Sequence, residues 1–545
     1  MYDLIIQGGT VIDGTGRQPF EADVGISGKF IMAVGDLADI KANRIINAEG
    51  LVVCPGFIDI HTHSDFTLMI NPRAESKIRQ GVTTEVVGNC GLSAAPVAQR
   101  TRDAFVEYMN STFPELNEAE IPWNWESFSE YRREFWRQPK AVNVAFQVGF
   151  TAIRCAVLGF ENRPPTADEM RTMKDLVQES LRAGAVAMST GLPYPPDCFA
   201  STKELVEVSR SLRQFGAFYV SHIRNEADGV AEAVAEAIAV GEGAGVGVHV
   251  SHLKAAGKRN WGRVGELLQM LEEARARGVD VSCDAYPYTF SSTGIISLVP
   301  PSVCEGGVAA LAQRLKDPAF RAAVRQRVEE GGLPGGETWE GGVKLYGWEN
   351  TSIGYCKINK RFQGKTLAEI ARVTAKDPYD IVFDLIEQEG AAVKLLFFGL
   401  DERDVIAVLQ HPLCMVASDG RAVAPYGPLG VGRLHPRYYG TFPRFLGRYV
   451  RELKVLSLPE AIAKITSAPA RRLHLADRGV LKVGMRADLA IFDPETIIDR
   501  ADLDDPKRYP EGVHYVLVNG QVVIDSGDHT GALPGEPANP TQKTS

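Results

Sequence analysis

The sequence is short of several things that would tie it to a familiar class. No CxxC pair occurs among its eight cysteines, so neither a disulfide framework nor a structural zinc knuckle is indicated, and reduced thiols are expected. No apolar run approaches membrane-span length. Positive charge is not in excess: 59 Lys and Arg stand against 68 Asp and Glu, a net charge of -9. Nucleic-acid binding needs a clustered surplus of basic residues, so that class is set aside. No GxGxxG opens a helix after a strand, which removes the usual handle for a dinucleotide cofactor. The start, MYDLIIQGGTVIDG, lacks the basic-then-apolar order of a signal peptide, and the cytoplasm is the expected compartment. Any anionic substrate would have to be met by local cations.

What is present is an ordinary globular composition, 545 residues with 45% hydrophobic and 23% charged, enough for one large domain and a smaller one. Residues 1–55 read as short strands with glycine turns, and 471–530 hold a second strand-rich stretch, including GVLKVGMRADLAIFD and VHYVLVNGQVVI. Together these predict one small β-sandwich domain built from both chain ends. Between them, over 56–470, apolar strand-like runs alternate with helical patterns such as ADEMRTMKDLVQESLRAG. The runs are FIDIHTH, VTTEVVGNC, VNVAFQVGF, AVAMSTG, AFYVSHIR, VGVHVSHLK, VDVSCDAYPY and CMVASDG. Eight such units predict an α/β fold of (β/α)8 TIM-barrel type, with its active site at the C-terminal strand ends. An insert at 289–345 is a candidate lid, and the polar end 531–545 is expected to be a disordered tail.

The run GFIDIHTHSD carries two histidines one residue apart. In an extended chain alternate side chains leave the same face, so His61 and His63 point together. Cys90 ends the second run, His222 the fifth, His252 the sixth and Asp419 the eighth, which places six ligand-type residues at one end of the barrel. Imidazole, thiolate and carboxylate form a zinc-type donor set, with iron and cobalt also chemically admissible. Strand parity predicts that His252 and Lys254 share a face, that His222 and Arg224 do the same, and that His249 points outward into packing. Two-metal barrels of related design often bridge their ions with a carbamylated lysine on the fourth strand. AVAMSTG has no lysine, and Cys90 is the obvious substitute.

These motifs, together with STGLPYPP, SHIRNE, SHLKAAG, DAYPY, HPRYYGTFPRFLGRYVRE and GMRADLAIFDP, resemble the amidohydrolase superfamily, and within it the D-aminoacylase (N-acyl-D-amino-acid deacylase) family. The resemblance runs over nearly the whole chain. It implies a tight zinc site at Cys90, His222 and His252, and a second, weaker one at His61 and His63 with Cys90 shared. It also implies Asp419 as the catalytic carboxylate, and Tyr194, Lys254 and Tyr286 as contacts for the substrate carboxylate. The expected reaction is zinc-dependent hydrolysis of a small N-acyl-D-amino acid to a carboxylate and a free D-amino acid, with the D preference coming from the resemblance alone.

Two other readings share the fold: a cyclic-amide hydrolase of the hydantoinase or dihydroorotase kind, and a non-catalytic scaffold. The missing fourth-strand lysine opposes the first, and the filled ligand positions oppose the second. Arg421, two residues after Asp419, is a candidate contact for an acidic substrate side chain. The sequence is silent on oligomeric state.

Overall fold

In the computed structural model, which describes residues 1–330, 339 and 341–540, eight parallel strands lie side by side in chain order. They are Phe57–Asp59, Val82–Val87, Asn143–Gly149, Ala185–Gly191, Phe218–His222, Val248–Val250, Val281–Ala285 and Cys414–Val416. Apolar runs bounded by turn residues make these strands, because a barrel strand is covered on both faces. Ile58, Val86, Ala145, Ala187, Phe218, Val220 and Met415 pack in one inner cluster. Helices fill the outer layer, and their ends follow local rules. Ala167–Arg182 begins at Thr166, which forms a reciprocal capping box with Glu169, and it buries Met173, Val177 and Leu181.

The first and last strands close the barrel just past their regular ends. Thr62 and Gly420 form a parallel bridge, with Asp419 N–H donating to His61 O at 2.9 Å and His63 N–H to Gly420 O at 2.9 Å. Below this seam, Lys77 Nζ lies 2.7 Å from Asp59 Oδ2 and 2.5 Å from Ser418 Oγ, all fully buried. Closure therefore sets HTH directly against SDG.

Both chain ends join one mixed nine-stranded sheet. Tyr2–Val11 pairs with Ala42–Asn47 along its first half and with Val52–Pro55 along its second, and its antiparallel pairing with Phe20–Ser27 is irregular between Ile6 and Gly9. The sheet has its own core, including Ile6, Val24, Ile46, Leu489 and Leu517. The segment expected to be a disordered tail is seated over 531–540: Gly535 N–H donates to Lys140 O at 2.7 Å, and Ala538 N–H to Val144 O at 2.9 Å. The remainder of that segment, 541–545, lies outside the described residues.

The excursion between the seventh and eighth strands is larger than the insert 289–345 read from the sequence. Phe290–Gly294, Thr351–Cys356 and Val393–Phe398 form a separate antiparallel sheet, with Val393–Phe398 in the middle, so the chain does not return to the barrel until Cys414. Residues 331–338 and 340 of the insert lie outside the described residues. Among the described residues no helix is long and apolar enough to cross a membrane.

The buried Lys77–Asp59 pair makes the seam testable. Lys77→Met leaves a buried carboxylate without its cation, a loss of about 3–5 kcal/mol, to be read as a lower denaturant midpoint. A variant as stable as the parent would show that closure does not depend on the pair.

Candidate metal centre

Cys90 Sγ sits 3.3 Å from His61 Nε2 and 3.5 Å from His252 Nε2. Among the described residues, three sets of donor atoms lie within 4.8 Å of one another: His61, His63 and Cys90; Cys90, His222 and His252; His61, His252 and Asp419. Tetrahedral zinc with bonds of 2.0–2.3 Å needs ligand atoms about 3.3–3.7 Å apart. The donor chemistry and the two Cys90 separations both fit that ion.

Local backbone explains how the side chains converge. Cys90, His252 and Asp419 all have positive φ, at 53°, 35° and 46°, a conformation non-glycine residues hold only where the surroundings impose it. The Cys90 loop lies hard against the fourth strand, where a Cβ at Gly191 would come within 2.3 Å of the Cys90 carbonyl oxygen. That strand end thus has room for the thiol loop and none for a long side chain.

A second layer of carboxylates orients the imidazoles. Asp284 Oδ2 is 3.1 Å from His61 Nδ1 and 2.8 Å from His249 Nε2, while its Oδ1 accepts from His252 N–H at 2.9 Å. Glu226 Oε1 lies 2.8 Å from His252 Nδ1. In both histidines one ring nitrogen meets a carboxylate and the other faces Cys90, an arrangement that suits metal binding. Burial would raise the Cys90 thiol, but the charge of His61 and hydrogen bonds from His222, His252 and His61 hold it well below its ordinary value. The thiolate that a metal requires is already favoured.

Asp419 Oδ1 is 3.0 Å from His63 Nε2 and 3.6 Å from His61 Nε2, and its Oδ2 is 2.9 Å from Arg437 Nη1. Burial opposes its charge, yet Arg437, His61 and the His63 hydrogen bond keep it well below the usual carboxylate range. It is ionised at neutral pH.

The cluster opens into a cavity of about 700 Å³, counted with its solvent-open part, whose wall includes Tyr194, Thr293, Lys394, Arg421 and Arg437. The Tyr194 hydroxyl meets Thr293 Oγ1 at 2.7 Å. Lys254 and Tyr286 stand one layer back and line a smaller cavity behind His252. Lys254 Nζ is 2.5 Å from Glu226 Oε1 and 2.8 Å from His252 Nδ1, and the Tyr286 ring lies under Arg437. Arg421 is on the wall, but its guanidinium is engaged by both oxygens of Glu115 at 3.1 and 3.2 Å.

Parity fails on the sixth strand. Regular pairing stops at Val250, and the positive φ at His252 resets the alternation. His249, expected outward, instead points inward: it is in register with Val220 of the inner cluster and bonds Asp284. His222 and Arg224 do not act together either, since Arg224 clamps Glu236 and the carbonyls of Cys198 and Ala200. Asp284, Glu226 and Arg437 are site residues that spacing in the sequence does not single out. Each sits inside a quoted motif, DAYPY, SHIRNE or HPRYYG, but its partner lies on another strand, so spacing within the motif carries no signal.

Comparison with known proteins agrees with this geometry. A model of the amidohydrolase family matches residues 44–524. The chain is 36% identical to the D-aminoacylase of Alcaligenes xylosoxydans xylosoxydans over 534 residues, covering 98% of this chain and 97% of that protein. It is 37% identical to the N-acyl-D-glutamate deacylase of the same organism over 522 residues, covering 96% and 93%. A solved N-acyl-D-glutamate deacylase from Bordetella bronchiseptica, complexed with zinc and a phosphonate mimic of the tetrahedral intermediate, is similar with a TM-score of 0.82 at 35% identity, covering 99% of each chain.

If Cys90 is the shared ligand, Cys90→Ala will remain folded by circular dichroism and lose most of its metal by elemental analysis. Full metal content in that variant would remove the thiolate from the centre.

Proposed function

This chain belongs to the amidohydrolase family, and from that premise we propose that it is a zinc-dependent deacylase, hydrolysing N-acyl-D-amino acids to a carboxylate and a free D-amino acid. The observation that carries the reading is the Cys90 thiolate facing two imidazole nitrogens beside an ionised carboxylate, in a chain that matches deacylases along nearly its whole length.

Cys90, His222 and His252 would hold the tight zinc, and His61 and His63, sharing Cys90, a weaker second one. Bound there, zinc supplies a charge that polarises the scissile carbonyl and lowers the pKa of water to roughly 7. Asp419, held ionised, takes the proton from the attacking water and then delivers it to the amide nitrogen as the C–N bond breaks. The acyl part leaves as a carboxylate and the nitrogen as the amine of the amino acid. His63 and Arg437, on opposite oxygens of Asp419, fix its orientation.

The substrate's α-carboxylate goes to Arg437. Its Nε and Nη1 are buried with no hydrogen-bond acceptor among the described residues, so its 2.9 Å approach to Asp419 is a charge contact out of hydrogen-bond alignment. Tyr194 borders the same cavity. Lys254 and Tyr286, which the family resemblance would put on the carboxylate, back Arg437 and His252 from behind. All eight cysteines are unpaired, which supports the cytoplasm as the working compartment.

The test is amine release by zinc-loaded protein from N-acetyl-D-leucine, N-acetyl-D-glutamate, their L enantiomers and a hydantoin. Turnover of at least one D substrate, with the L forms and hydantoin inert, is expected; cleavage of hydantoin alone would overturn the reading. Asp419→Asn should lower kcat by about 10²–10⁴ with zinc content unchanged. A loss of only a few-fold would take the proton shuttle away from Asp419.

A further inference from the structure

Of the cations on the cavity wall, all but one have a counter-ion. Arg421 is held by Glu115 and Arg437 faces Asp419. Lys394 is 7% exposed, lines the same cavity, and its Nζ has no hydrogen-bond or ion-pair partner among the described residues. It comes from outside the barrel, on the central strand of the three-stranded sheet, opposite Gly294, which also lines the cavity. Of the three Lys and Arg cations on the wall, Arg421 is answered by Glu115 buried behind it and Arg437 by Asp419.

A buried ammonium without a counter-ion is costly, and a carboxylate placed beside it recovers much of that cost. Burial, followed by the nearby charge of Arg421, brings the Lys394 pKa down to about 7; a bound anion would restore its charge. The α-carboxylate of an N-acyl-amino acid is separated from the scissile nitrogen by a single carbon, so it must stay beside the metal cluster, where Arg437 touches Asp419. A side-chain carboxylate reaches further out, toward the sheet that bears Lys394.

We propose that Lys394 is the specificity-determining residue of this site and receives the side-chain carboxylate of an acidic substrate, making N-acyl-D-glutamate or N-acyl-D-aspartate the preferred class. The proposal rests on the deacylase reading. It moves the acidic preference from Arg421, whose charge Glu115 has taken, to the cation left over.

The experiment compares kcat/KM for N-acetyl-D-glutamate with that for N-acetyl-D-glutamine, which has nearly the same shape without the charge, and includes N-acetyl-D-aspartate and N-acetyl-D-leucine. The parent protein should favour the glutamate over the glutamine at least tenfold. In Lys394→Met that ratio should fall about 10–100-fold, the worth of one charge-assisted hydrogen bond, while Lys394→Arg keeps it within a few-fold. A parent ratio at or below one overturns the proposal even if Lys394→Met fails to fold. Equal losses on both substrates in Lys394→Met overturn it too, by assigning Lys394 to the α-carboxylate or to the fold. Turnover of neutral substrates alone defeats only this inference, whereas no turnover of any N-acetyl-D-amino acid defeats the deacylase reading beneath it.

Discussion

A thiolate can be kept in a protein interior only beside positive charge, and the architecture of this barrel mouth depends on meeting that condition at Cys90. Burial by itself pushes thiols the other way: Cys155, nearly as enclosed, is raised to about 12. Cys90 departs from it because three imidazoles converge on its sulfur. Those imidazoles need orientation in turn, which Asp284 and Glu226 provide from the seventh strand and from the loop after the fifth. Removing either carboxylate would free a ring to rotate as well as change a charge.

Asp284 is the hub of this arrangement. One oxygen takes His61 and His249, and the other takes the backbone N–H of His252, so a single carboxylate spans the first, sixth and seventh strands. It also offsets part of the cost of holding His252 at positive φ, a conformation worth on the order of 1–3 kcal/mol when a non-glycine residue adopts it. Asp419 has comparable support from the closing seam, where its N–H meets the His61 carbonyl. Within the site, Cys90, His252 and Asp419 share this backbone conformation, and for Asp419 the backbone contact that holds it is also one that closes the barrel.

Much of this was legible in the sequence because it is local. Each barrel strand is a short apolar run with its own turn signals, and HTH, GNC, SHIR, SHL and SDG sit at run ends, so the fold class and the six-residue cluster followed from order alone. Parity was reliable only as far as regular pairing extended. It placed His61 with His63 correctly, but failed for His249, since Val250 ends the strand and the next residues turn. Long-range partners were out of reach: nothing near Arg421 announces Glu115, and nothing near Lys254 shows that Glu226 has claimed it. Lys394 lay in VKLLFF, a strand whose neighbours come from two distant parts of the chain, so neither its sheet nor its place on the cavity wall had a local signature.

The central claim is that a cysteine thiolate, in place of a lysine carbamate, joins the metal to this barrel. Zinc K-edge X-ray absorption on the zinc-loaded protein addresses it directly. The account predicts one sulfur scatterer at about 2.3 Å alongside nitrogen and oxygen at about 2.0–2.1 Å. A first shell of nitrogen and oxygen alone, with no sulfur, would contradict it.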